Sequence, residues 1–241
     1  MSIAKALMLG GGGEIAITSP NHPNVLAAYD MGDTVSGPTQ FDISPNGLDA
    51  TISGADIVAG KIGNALSFVS ANDDSVTSPA SVGDGSSGFT ICGWLKFDND
   101  LNPANSNGLW SQWRSGQRSW LFYQAPSLGA DLEFLISTDG AVTTNVLSTN
   151  TSVVTPGVYE LYFIEFEPSV AMRIYRGTTL IGANTTDIPA AIFDSTAPFE
   201  MGNFFNDATD RAWDGDQDHV FLYDRILTSQ EKQAKVDEGT P

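Results

Sequence analysis

Phe89-Thr90-Ile91-Cys92-Gly93-Trp94-Leu95-Lys96-Phe97 is the stretch on which the fold turns. In an extended chain successive side chains point to opposite faces. That places Thr90, Cys92, Trp94 and Lys96 on one face, and Phe89, Ile91, Leu95 and Phe97 on the other. The period is two, which predicts a β-strand. Similar short runs, separated by turn clusters, extend in both directions. Residues 25–31 and 66–69 read as strands. Residues 120–124 and 132–137 read as a hairpin with Leu132, Phe134 and Ile136 inward. Residues 158–167 are apolar on both faces until their end, which predicts a central strand. Residues 172–175 and 179–181 flank Arg176-Gly177-Thr178, a tight turn. Residues 199–202 and 220–223 complete the set. Only Ser229–Glu238 reads as a helix, with Thr228 or Ser229 as N-cap and Glu231 four residues before Lys235. The expectation is an all-β protein with one short C-terminal helix.

Composition agrees. The 241 residues are 41% hydrophobic, enough for a sizeable core in one domain. The 29 acidic and 11 basic side chains give a net charge of −18. Such a surface repels phosphates, so neither nucleic acid nor an anionic membrane is expected as partner. No apolar run approaches the ~18–20 residues of a membrane span. Asp outnumbers Glu 21 to 8, and short carboxylates favour turns, caps and hard-cation sites. Cys92 is the sole cysteine, which excludes an intrachain disulfide and reads as a buried, inert thiol.

The N-terminus is apolar at Ile3, Leu7, Met8 and Leu9, then runs into Gly10-Gly11-Gly12-Gly13. The apolar part is short and no small-residue cleavage site follows, so it reads as a retained arm. The glycines lack a G-x-G-x-x-G register and a Walker lysine, and read as a flexible joint. The expected division is an anchoring or oligomerising arm over 1–23 and a β-sandwich over 24–241.

Six segments, in order, carry a resemblance. They are Leu26-Ala27-Ala28-Tyr29-Asp30-Met31, the turn from Asp42-Ile43-Ser44-Pro45-Asn46 to Asp49-Ala50-Thr51, and Gly60-Lys61-Ile62-Gly63-Asn64-Ala65-Leu66-Ser67-Phe68. The others are Phe89 to Lys96, Ile174-Tyr175-Arg176-Gly177-Thr178, and Trp213-Asp214-Gly215 through Asp218 to Leu227. Together they resemble the laminin-G-like members of the concanavalin A-like lectin/glucanase superfamily. That implies two antiparallel sheets in a jelly-roll sandwich. His219 and Arg176 stand where the family has Glu and Asp, so the member is divergent.

Leu109-Trp110-Ser111-Gln112-Trp113 and Gln117-Arg118-Ser119-Trp120-Leu121 resemble laminin-G-like domains of bacteriophage head and tail proteins. This implies a non-catalytic virion surface protein, homo-oligomeric and held to neighbouring virion subunits through its arm. The alternative is an extracellular or cell-surface carbohydrate-binding lectin module, and a glucanase ranks below both. Glucanases of the superfamily use an E-x-D-x-E strand. Glu165-Phe166-Glu167 lacks the middle Asp and the third acid, and Pro168 follows. It reads as a strand ending at a solvated turn. His22 lies in a loop and His219 at a strand entry, without metal or triad spacing. No enzyme is expected.

Two candidate sites remain. Sugars stack on aromatic faces while arginines bind hydroxyls. Trp110, Trp113, Arg114, Arg118, Trp120, Phe204, Phe205 and Trp213 therefore form a candidate surface for a cell-surface glycan or a protein. Trp94 falls at the family's core tryptophan. The resemblance also implies a structural Ca²⁺ at Asp30 and Asp218, with Asp216 and Asp214 close by in sequence.

Overall fold

The computed structural model describes residues 16–98, 106–126, 131–149, 153–204 and 211–240. In chain order the strands begin with β1 (Val25–Tyr29), β2 (Val35–Ser36), β3 (Thr39–Gln40), β4 (Ala50–Ser53), β5 (Asp56–Ala59) and β6 (Asn64–Phe68). Next come β7 (Ser75–Ser78), β8 (Phe89–Phe97), β9 (Asn107–Gln112), β10 (Arg118–Gln124), β11 (Leu132–Gly140) and β12 (Asn145–Ser148). The remainder are β13 (Tyr159–Glu167), β14 (Ala171–Arg176), β15 (Thr179–Asn184), β16 (Phe199–Met201) and β17 (Gly215–Tyr223), followed by helix α1 (Ser229–Glu238).

The strands form two antiparallel sheets. The first has the order β15-β14-β13-β8-β17-β6-β5, with β1 also paired to β17. The second runs β12-β11-β10-β9-β16-β7-β4-β3-β2. Between them lies the core, in which Phe89 packs on Trp120, Phe134 and Phe166 with ring centroids 5.7, 6.2 and 5.9 Å away. This is the all-β, two-sheet sandwich with one C-terminal helix that the sequence predicts. The alternation in β8 holds: Phe89, Ile91, Leu95 and Phe97 face the other sheet.

The opposite face of β8 is buried too. Cys92 and Trp94 join Leu161, Phe163, Phe221 and Tyr223 in a second apolar layer, over which α1 lays Ala234 and Val236. Trp94 is thus no part of the central core; it is the floor under the helix C-terminus, tight against Gly239. Cys92 is wholly buried, which pushes its thiol up to about 12 and keeps it protonated and inert. The helix is started by a capping box, Thr228 accepting from the Glu231 N–H while Glu231 accepts from the Thr228 N–H. Arg225 holds the same Glu231 at 2.6 Å.

Several aspartates serve turns, Asp42, Asp84 and Asp139 each accepting from the N–H two residues on. Asp42 accepts from the N–H groups of Ala28, Ser44 and Leu48, while Asn46 donates to the carbonyls of Val25 and Leu26. The Asp42-to-Thr51 motif is therefore a clamp on β1. Residues 1–15, which carry most of the expected arm, lie outside the described residues. Its end does not add an edge strand. Ala16 to Pro20 form a turn, Ile17 is buried against the outer face of the first sheet, and its carbonyl accepts from the Tyr223 hydroxyl at 3.1 Å.

Candidate functional site: an arginine-on-aromatic face of the second sheet

The tryptophans that crowd one another in sequence are separated by the pleat. Trp110, Trp120 and Trp213 are fully buried in the core, so none of them lines a ligand surface. Trp110 and Trp120 sit on inward positions of β9 and β10, and their indole N–H groups donate to Gln217 and Gln112. Trp113 lies just past the end of β9, on the outer side. There it meets Leu121 and Phe204, with Tyr123 and Leu135 packed against the group. Phe205 lies outside the described residues.

Trp113 and Phe204 are not bare platforms, being only 4% exposed. Each carries a guanidinium. Arg118 lies over the Trp113 ring at 5.7 Å and Arg211 over Phe204 at 5.6 Å. Arginine favours this geometry because a planar, weakly hydrated cation is attracted to the ring face. Arg114 stands beside them, its guanidinium 2.6 Å from buried Glu200 on β16. On the far side, Tyr123 donates to Glu133, and burial together with Glu133 pushes the phenol pKa up. Three of the six arginines of an acidic chain thus share one face. Arg211 and Tyr123 were not legible as members, because Arg211 is held there through its carbonyl, which accepts from the Gly108 N–H on β9, and Tyr123 by the pairing of β10 with β9 and β11.

The same face bears on catalysis. Its outward glutamates, Glu133 and Glu200, stand on β11 and β16, three strand steps apart, which puts them ~14 Å from each other. Glycosidases need carboxyls ~5–9.5 Å apart. Nor is Glu165 at a solvated turn as the sequence suggests. It is fully buried beneath α1, 2.6 Å from Lys232 and 3.9 Å from Arg173, while Glu167 pairs with Arg173 at 2.6 Å. Burial raises the Glu165 pKa even against these cations. His219 sits inside β17 at a bulge, bonded to the neighbouring Asp218 at 2.6 Å.

The expected calcium ligands are engaged separately. Asp30 accepts from Thr34 and Gln40, Asp218 from the Ile62 N–H and His219, and Asp216 from Lys96 and Tyr159. Asp214 accepts from the Ser70 N–H and hydroxyl. Among the described residues no three His, Cys, Asp or Glu side chains gather closely enough to hold an ion. A shared calcium shell does not fit this arrangement.

The family model described as the concanavalin A-like lectin/glucanases superfamily matches residues 70–231, and the chain belongs to that family. No curated protein matches it in sequence. Among solved structures it is similar to the binding domain of Paraclostridial Mosquitocidal Protein 1, at 14% identity and TM-score 0.69, over 88% of this chain and 51% of that one. It is likewise similar to the receptor binding domain of botulinum neurotoxin D (10% identity, TM-score 0.70, 92% and 53% covered). A third is the botulinum neurotoxin serotype D ligand binding domain in complex with N-acetylneuraminic acid (11%, 0.68, 93% and 53%). At these identities the likeness is one of fold, and the chain spans about half of each of those chains. These neighbours are toxin binding domains, not phage proteins.

Proposed function

We propose that this protein is a non-catalytic glycan-recognition module that binds an acidic sugar on the outer face of the second sheet. The observation that carries the proposal is the set of guanidinium groups of Arg118 and Arg211 seated on Trp113 and Phe204, with Arg114 beside them, in a chain of net charge −18. Aromatic bases fix each guanidinium, and a fixed fork is suited to bidentate capture of a carboxylate. A fold shared with toxin binding domains, one of them solved with N-acetylneuraminic acid, supports the reading. The wide separation of Glu133 and Glu200 and the burial of Glu165 support binding without hydrolysis.

Saturation-transfer NMR with sialylated oligosaccharides and their desialylated counterparts tests it. Binding of the sialylated forms is expected, and Arg118→Ala and Arg211→Ala are each expected to weaken it ~10-fold or more while the fold melts normally. Absence of any acidic-glycan binding, or binding indifferent to both substitutions, refutes the proposal.

A further inference from the structure

Helix α1 lies on the outer face of the first sheet, and charge does much of the holding. Of its ten residues only Ala234 and Val236 are apolar, and both are partly buried. The residues it buries are two lysines, Lys232 and Lys235. Lys232 stands 3.9 Å from the centre of the Tyr175 ring and 2.6 Å from Glu165, and Lys235 stands 3.4 Å from the centre of the Phe221 ring. Lys235 makes its own ion pair inside the helix, with Glu238 at 2.8 Å. Among the described residues, the pair of Lys232 with Glu165 is therefore the one ion pair that ties α1 to a strand. Much of the attraction in such a pair is offset by the hydration that both charges lose.

What lies beneath is opposite in character. Phe163, Cys92 and Phe221 form one row across the sheet, and Leu161, Trp94 and Tyr223 extend it into an apolar layer. The hydrocarbon stems of buried lysines cover such a surface while their ammonium groups seek partners. This layer is separate from the core between the sheets, and that core contains no residue of α1. The chain leading into the helix is fixed independently. The Leu227 N–H donates to Thr90 Oγ1 at 3.2 Å, and the Thr90 hydroxyl donates to the Arg225 carbonyl at 2.8 Å. The helix thus has a fixed point at its start and, at its far end, Gly239 seated against Trp94.

We infer that α1 is a releasable strap, which swings off about Leu227 and Thr228 as one unit while the sandwich stays folded, and so uncovers an apolar face that the closed protein hides. A segment that shares no core with the rest opens on its own, at a lower free energy than global unfolding. The latch is polar and local, so its release leaves both sheets paired and the core between them closed. Cys92 is a built-in reporter of the movement. It is the sole cysteine, it is wholly buried, and Lys235 and Glu238 of α1 are among the charges that act on it. Under the closed strap the thiol is shielded; with the strap open it regains ordinary thiol reactivity. The device is independent of the arginine face.

The test is labelling of Cys92 by iodoacetamide in the whole protein, read by mass spectrometry over a urea series, beside global unfolding followed by tryptophan fluorescence. At low urea the labelling rate is expected to be nearly flat, because opening the strap exposes little surface, and to take the global slope only near the unfolding transition. Thr228→Ala removes the N-cap and is expected to speed low-urea labelling about 5-fold. Gly202→Ala, in the second sheet, is expected to lower global stability and leave low-urea labelling unchanged. The wild-type slope alone decides should either variant fail to fold. Labelling that keeps the global slope down to zero urea, that quickens in Gly202→Ala in step with the lost stability, or that is indifferent to Thr228→Ala overturns the inference.

Discussion

Lys232→Met cuts the buried ion pair between α1 and the first sheet. Lys232 is 5% exposed, lies over the Tyr175 ring at 3.9 Å and stands 2.6 Å from Glu165, which is fully buried. Methionine keeps much of the apolar packing, so the loss is chiefly the charge. Breaking a buried pair costs ~3–5 kcal/mol. At ~2–4 °C per kcal/mol for a chain of this size, Tm falls by ~6–20 °C. The pH dependence is the sharper signature. Glu165 already has its pKa raised above 4.5 by burial, despite Lys232 and Arg173. An acid with a raised folded pKa contributes its full stability below the ordinary value and loses it as pH rises through the folded value. Without Lys232 that folded value climbs further. The deficit relative to wild type is therefore expected to be small near pH 5 and to grow towards pH 8, at up to ~1.4 kcal/mol per pH unit. Urea denaturation at a series of pH values measures this. The double variant Glu165→Leu/Lys232→Met removes both charges and is expected to recover most of the loss. A deficit independent of pH, or a double variant whose losses add, refutes the reasoning.

Three further outcomes are expected. Glu231 has its pKa lowered from 4.5 to about 2 by its hydrogen bonds from Arg225, so its stabilisation is complete above pH 4.5 and vanishes as pH falls through 2; Glu231→Gln is expected to flatten that acid limb in a thermal-melt series. Gly202 has φ +78°, and an added Cβ falls 2.1 Å from the buried Phe68 ring; Gly202→Ala is expected to cost ~2–5 kcal/mol in urea unfolding, combining left-handed strain with overpacking. EDTA is expected to leave the melting curve unchanged, because Asp30, Asp216 and Asp218 are held by protein donors; a Tm that falls in EDTA and returns with Ca²⁺ refutes this.

The strands that announced themselves were those with a strict period or apolar text on both faces. β8 and α1 match their predicted bounds, and β13 is central as expected, because local pattern and burial there coincide. β4, β5 and β7 were invisible: each is four residues of mixed polarity, β4 and β7 pairing with each other across about 25 residues and β5 forming an edge hairpin with β6. The aromatic cluster misled for a related reason. Trp110, Trp113 and Trp120 are close in sequence, but which face each takes depends on strand ends and on a register shift between Phe122 and Tyr123. Glu165 looked like the end of a strand because Lys232, its partner, is contributed by the C-terminal helix. Arg114, Arg118 and Trp113 lie within six residues of one another, so their proximity needed no long-range information, whereas Phe204 meets Trp113 through the pairing of β16 with β9.

β17 pairs with β1, β6 and β8 at once, and this has a consequence for synthesis. About 155 residues separate the end of β6 from the end of β17. At a ribosomal rate of ~5–20 residues per second, the gap lasts ~8–30 s. Throughout it β1 and β6 lack their common neighbour, and the apolar side of the first sheet is unsealed. The nascent chain must therefore wait in a state with open strand edges, the condition in which chaperones bind and aggregates nucleate. Ribosomes that stall before Gly215 release a product that cannot close its first sheet, however complete the second.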